Sequence, residues 1–204
     1  LYDTGGIVGY SRNYGAATVN IDNNQFGGVL EQCVYSCGGI VGYDVAYEQA
    51  TVTANNNISS GTIQGSCCTY GGIIGYSYAY DGPSLQFNGN NFAADAVITA
   101  TGSGIGGLAG EIDVYDTTTI QTNYNQSNGL TASNGSAKAG MVGYYYCYNY
   151  LISSNGCELS YNTNNSGISG SNWLGGMIGY LDNYAHFSMQ HNTNNGDDFG
   201  FGDS

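Results

Sequence analysis

A block of the form Gly-Gly-apolar-apolar-Gly-Tyr recurs six times, starting at Gly5, Gly38, Gly71, Gly106, Ala139 and Gly175, at spacings of 33, 33, 35, 33 and 36 residues. A fixed period of this size marks a solenoid, a propeller or an array. Propeller blades need four strands and about 40–45 residues each. A period near 33 residues with three short extended runs fits a solenoid instead. No linker interrupts the period, so residues 1–204 read as one repeat domain.

Counting the first residue of each block as position zero, position nine is always tyrosine: Tyr14, Tyr47, Tyr80, Tyr115, Tyr148 and Tyr184. Position five is Tyr10, Tyr43, Tyr76, Tyr144 and Tyr180, with Glu111 as the exception. Positions two and three are apolar, from Ile7-Val8 to Met177-Ile178. Position fourteen gives Val19, Val52, Leu85, Ile120, Leu159 and Met189, once an insertion of six residues is allowed in the fifth unit. Two amide columns follow, one of Asp22, Asn55, Asn88, Asn123, Asn162 and Asn192, the other of Asn24, Asn57, Asn90, Asn125, Asn164 and Asn194. A weaker third apolar segment closes each unit, as at Val29-Leu30 and Val97-Ile98.

β-branched and aromatic residues favour strands, and Gly and Asn supply the positive φ of corners. No window carries a capped 3.6-residue apolar period, which predicts almost no helix. One short run buries little by itself, so coils must stack like on like at ~4.8 Å spacing. The expected fold is an all-β parallel β-solenoid of six coils, about 33 residues and three short strands per coil. Six coils make a rod about 29 Å long. Aliphatic columns then form the core, amides form ladders and tyrosines stack.

The block resembles the GLUG repeat, whose hallmark is Gly-Leu-apolar-Gly. It stands here as Gly6-Ile7-Val8-Gly9, Gly39-Ile40-Val41-Gly42, Gly72-Ile73-Ile74-Gly75, Gly107-Leu108-Ala109-Gly110, Gly140-Met141-Val142-Gly143 and Gly176-Met177-Ile178-Gly179. Only the fourth unit has the Leu. The resemblance implies a β-solenoid stalk or binding module of a secreted or surface protein, such as an adhesin, rather than a catalytic domain.

Formal charge is −13, from 15 acids against Arg12 and Lys138. Phosphate contact needs clustered bases, so neither nucleic acid nor anionic lipid is an expected partner. No apolar run approaches the ~20 residues of a membrane-spanning helix. The chain lacks an initial Met and a leader, which reads as a processed product or a fragment. Six cysteines suit disulfides made outside the cytosol. Cys33 with Cys67 and Cys37 with Cys68, or the exchanged pairs, can bridge the first two coils, and Cys147 with Cys157 can close the insertion.

Catalytic constellations are weak. Asp113/Asp116 and Asp197/Asp198 are paired acids whose ordinary reading is solvated turns. Asp182, His186 and Ser188 lie within seven residues of one another, a chance cluster without a fold to shape it. A lyase would need a base, and Arg12 and Lys138 sit roughly 15 Å apart along the stack. Asp44, Glu48, Asp81, Asp113, Asp116 and Asp182 are loop acids open to Ca²⁺ but match no calcium motif. The position-thirteen residues, Thr18 to Ser188, are interrupted by Glu158 and make no regular ice-binding face. Catalytic residues, metal ligands and cofactors are therefore not expected.

Four sequons occur, at Asn57, Asn125, Asn134 and Asn164; Asn134 lies outside the columns and is the best candidate for a glycan. The last unit has 30 residues and Leu1 to Thr4 precede the first, so together they make one period of 34. The expected function is structural: an extracellular or cell-surface filament or stalk whose main partner is itself, stacked head to tail through Leu1, Tyr2, Asp3, Thr4, Phe199 and Phe201. The competing reading is an adhesin or carbohydrate-binding module with an aromatic patch confined to one or two coils, such as Tyr144 to Tyr146 and Tyr148.

Overall fold

A computed structural model describes residues 2–66, 68–116, 118–133, 136–148, 156–170, 172–196 and 199–201. The first coil carries five strands, β1 (Thr4–Gly5), β2 (Val8–Asn13), β3 (Thr18–Asn20), β4 (Gln25–Phe26) and β5 (Val29–Cys33). The same five recur in every later coil, and like pairs with like in parallel, giving five sheets of six strands. No helix occurs among the described residues. The chain is thus the parallel β-solenoid its period demands. The three expected runs are β2, β3 and β5. β1 and β4 are additional pairing segments of two or three residues, because a corner residue in extended conformation bonds to its copy one layer away once the register is set.

The register is that of the columns. Tyr43 pairs with Tyr10 and Tyr76, and Val52 with Val19 and Leu85. Beyond the insertion the columns slip by two residues. Ile120 pairs with Cys157, and Cys157 with Phe187, so these two take the places expected for Leu159 and Met189. Tyr148 to Cys157 spans nine residues where Tyr47 to Val52 spans five, so the insertion is four residues, not six.

The interior of the stack forms two cores with a waist between them. The larger collects Ile40, Val52, Ile73, Leu85, Leu108 and Ile120; the smaller holds Cys37, Ile63, Tyr70, Ile98 and Ile105. The second glycine of the block sits at the waist. A Cβ on Gly72 would stand 2.4 Å from Phe92 and 2.2 Å from the Gly107 carbonyl. Large and small residues alternate above it, as Phe26, Ser59, Phe92 and Ser127, and each ring also covers a glycine of the next coil, Gly61 or Gly129. Lys138 takes an inward place in the smaller core. It is fully buried, its Nζ donates to the Ser169 carbonyl at 3.2 Å, and burial lowers its pKa.

The amide corner between β3 and β4 is held by two ladders that run in opposite directions. In one, the backbone N–H and Nδ2 of Asn24 donate to Asn57 Oδ1 at 2.8 and 3.1 Å. Asn57, Asn90, Asn125 and Asn162 repeat this toward Asn90, Asn125, Asn162 and Asn192. In the other, the side chain of the earlier coil accepts: Asp22 from Asn55 N–H, Asn55 from Asn88, Asn88 from Asn123, Asn123 from Ser160, and Ser160 from Gln190. The register slip moves Asn162 and Asn192 into the inner ladder. Asn164 and Asn194 therefore do not continue it as the sequence columns implied; they bond to each other one column further on. The residue between the two ladders is left-handed in every coil: Asn23, Asn56, Gly89, Tyr124, Tyr161 and His191, with φ from 53° to 68°.

Cys147 and Cys157 pair as expected. Cys33 pairs with Cys37, across the corner that leads from β5 into the next coil, and not with Cys67. The two flank that corner with Cα atoms 6.1 Å apart, close enough to bond. Cys68 is also disulfide-bonded, and Cys67 lies outside the described residues. Asn57, Asn125 and Asn164 are buried, so these sequons offer no room for sugar. Asn134 lies outside the described residues.

Candidate functional site

The β2 sheet has an inner and an outer face because successive side chains alternate. Positions six and eight point inward: Ala46, Ala79, Ile112, Val114, Tyr145 and Cys147 all belong to the larger core. Positions five, seven and nine share the outer face, and their rings make a tyrosine surface along the rod.

Its main row crosses all six coils. Tyr14 stacks on Tyr47 with centroids 4.9 Å apart and planes 6° apart. Tyr47 meets Tyr78 at 6.1 Å, and Tyr78 meets Tyr115 at 5.5 Å. Tyr115 stacks on Tyr148 and Tyr148 on Tyr184, both at 5.3 Å. The Tyr80 backbone keeps register with Tyr47, but Tyr78, two residues earlier on the same face, supplies the ring in the third coil. Arg12 lies over Tyr14 and Tyr47 at 5.0 and 5.8 Å from their centroids, a cation–π contact.

The fourth coil breaks the surface. Position five runs Tyr10, Tyr43, Tyr76, with Tyr43 and Tyr76 stacked at 4.8 Å, and then becomes Glu111. Position seven of the same strand is Asp113. Residues i and i+2 of a strand share a face, so both acids stand side by side among tyrosines. Tyr76 Oη donates to Asp113 Oδ2 at 2.7 Å. Burial raises the pKa of both acids, and the Asp113 charge raises Glu111 further. Burial lifts Tyr43 to about 12 and also raises Tyr76, where the Asp113 charge adds to it.

Beyond the acids lies an aromatic cluster. Tyr144 and Tyr146 pair in register with Glu111 and Asp113 and stack on each other at 5.7 Å. Tyr180 packs against both, and Trp173 lies 4.9 Å from Tyr180 and 6.3 Å from Tyr144. Trp173 is 55 % exposed and lines a shallow cleft with Ser136 and Asn172. Tyr148 Oη donates to Asp182 Oδ2 at 2.5 Å, which raises the phenol pKa.

The acids named from sequence separate. Asp113 pairs with Glu111, not Asp116; Asp116 is a left-handed corner residue with φ 55°, in line with Glu48 and Asp81. Asp197 and Asp198 lie outside the described residues. Asp182 binds Tyr148, while His186 and Ser188 line a groove with Thr119, Gln121 and Glu158, so no triad forms. Asp44 points inward, is 2 % exposed and accepts from Asn13 Nδ2 at 3.1 Å; burial raises its pKa to about 6 against the hydrogen bonds of Ser11 and Asn13. No group of three His, Cys, Asp or Glu stands ready for a metal ion among the described residues. No described helix is long and apolar enough to cross a membrane. Sequence reasoning named Glu111 only as an exception to a column, and passed over Trp173. The signal for the first was the single break in the position-five column; the second is the only Trp and belongs to no column.

Compared with family models, with curated proteins and with solved structures, the chain matches none.

Proposed function

We propose that the chain is a structural extracellular β-solenoid, a subunit or segment of a filament or stalk that lengthens by end-to-end stacking of GLUG-like coils. The amide corner carries this reading. In the inner ladder the first coil turns an acceptor outward, Asn24 Oδ1, and the sixth turns donors outward, the N–H and Nδ2 of Asn192. In the opposed ladder the first coil offers the Asp22 N–H and the sixth the Gln190 side chain. The two faces are complementary, and a second copy laid on the sixth coil continues both ladders and all five sheets. Apolar side chains on these faces, Ile7, Leu181 and Met189, are 47, 42 and 46 % exposed and would be covered by the same contact.

Two further features fit. The Cys33–Cys37 and Cys147–Cys157 bonds suit an oxidising compartment. A net charge of −13 keeps rods apart side to side. The test is negative-stain electron microscopy over a concentration series, together with Asn192→Lys, which sets a charge against the next layer. Rods that lengthen with concentration and shorten in the variant support the reading. Monodisperse single particles at every concentration would overturn it.

A further inference from the structure

We infer that the outer face of the β2 sheet over the fourth to sixth coils binds a neutral glycan, with a sugar ring on Trp173 and the chain running along the rod toward Glu111. This site does not need end-to-end assembly and stands or falls separately from it.

Four observations converge on the same patch. Trp173 serves no column, so coil stacking does not require it, yet Tyr180 and Tyr144 hold its ring in place with more than half its surface exposed. An exposed indole on an aromatic base is a platform for the C–H face of a sugar. Ser136 and Asn172 line the cleft beside it and supply the donor and acceptor groups that fix a hydroxyl-rich ligand. Next along the face comes Glu111, half-buried and in register with Tyr144, with the buried Asp113 beside it. The Glu111 carboxyl, unlike that of Asp113, stands where the hydroxyls of a sugar chain running on from Trp173 can bond to it. The ~4.8 Å advance per coil is about the length of one sugar ring, so successive rings meet successive layers.

Charge decides the class of glycan. Of the two bases, Arg12 is stacked on Tyr14 in the first coil and Lys138 is buried, so neither can receive an anionic polysaccharide here. Asp182 is occupied by Tyr148 and Asp113 by Tyr76, which leaves hydroxyl-bearing neutral sugars as the match.

The only Trp is a built-in reporter. Titration of the protein with cellohexaose, laminarihexaose, mannohexaose and chitohexaose, followed by Trp fluorescence and calorimetry, is expected to show saturable binding to at least one of them. By calorimetry Trp173→Ala is expected to weaken that binding about tenfold or more, and Glu111→Gln by a few-fold, with Tm nearly unchanged in the first. Tyr124→Ala, on a different corner, is expected to leave binding intact. Absence of binding to all four, binding unchanged in Trp173→Ala, or preference for polygalacturonate or choline over every neutral sugar would each overturn the proposal.

Discussion

The amide corner and the tyrosine face are both built from columns, yet they respond differently to change of sequence. At the corner the inner ladder keeps an asparagine in every coil, even where the chain slips by two residues and Asn162 and Asn192 replace Asn164 and Asn194. On the tyrosine face the chain admits Arg12, Glu111, Asp113 and Asp182, and loses the Tyr80 ring from its row. The corner is inside, where an unpaired amide costs about 1–3 kcal/mol and water cannot replace it. The face is outside, where a lost ring costs only its stacking and part of its burial, so the face is free to vary.

The largest expected effect breaks the corner. Asn90 accepts from the N–H and Nδ2 of Asn57 and donates to Asn125 Oδ1 and the Ala54 carbonyl. Asn90→Ala strands several of these buried groups and is expected to cost about 3–4 kcal/mol in urea unfolding, because each orphaned group carries its own desolvation cost. A cost below that of an ordinary surface substitution would make the ladder ornamental.

Next comes the inner side of the same β2 strand. The folded chain holds the Asp44 proton to about pH 6, whereas the unfolded chain releases it near 3.8. The folded state therefore binds more protons in that interval, and stability falls as pH rises through it. Asp44→Asn is expected to raise stability at pH 7 by up to about 3 kcal/mol and to flatten the pH dependence between 4 and 6, read from Tm at each pH. Equal slopes in the variant and the parent would remove Asp44 as the cause.

On the tyrosine face the effects are smaller. Tyr148→Phe deletes the bond to Asp182 and keeps the stack on Tyr115 and Tyr184, for a cost of about 0.5–1.5 kcal/mol. Tyr161→Asn, at the exposed tip of the amide corner and not on the tyrosine face, is expected to be nearest neutral. It relieves a left-handed aromatic residue, φ 59°, and gives up stacking on Tyr124 and His191 at 5.0 and 4.8 Å. The two contributions oppose each other at about 1 kcal/mol each. A loss as large as that of Asn90→Ala in either variant would erase the distinction between the buried ladder and the exposed rings.

Much of this was legible in the sequence, because the period itself sets the register. The aromatic and amide columns and the corners follow from like stacking on like, and the Cys147–Cys157 bond from two cysteines that flank the insertion. The slip after Tyr148 was not legible. Leu159 and Cys157 both point inward, so hydrophobicity alone fits either register, and only the pairing of Ile120 with Cys157 decides. The Cys33–Cys37 bond was missed because a spacing of four residues says nothing about how sharply β5 turns into the next strand. Tyr78 replaces Tyr80 in the row through side-chain direction, which a column of letters cannot express.

The opposed sense of the two amide ladders has an electrical consequence. In one, hydrogen-bond dipoles point from the first coil toward the sixth; in the other they point back. Their moments largely cancel within each layer, and parallel sheets contribute little of their own. A stack of such layers can grow without building up the end charges of a long α-helix. Its two tips differ in the hydrogen bonds they offer but not strongly in potential, so length carries no electrostatic penalty along the axis.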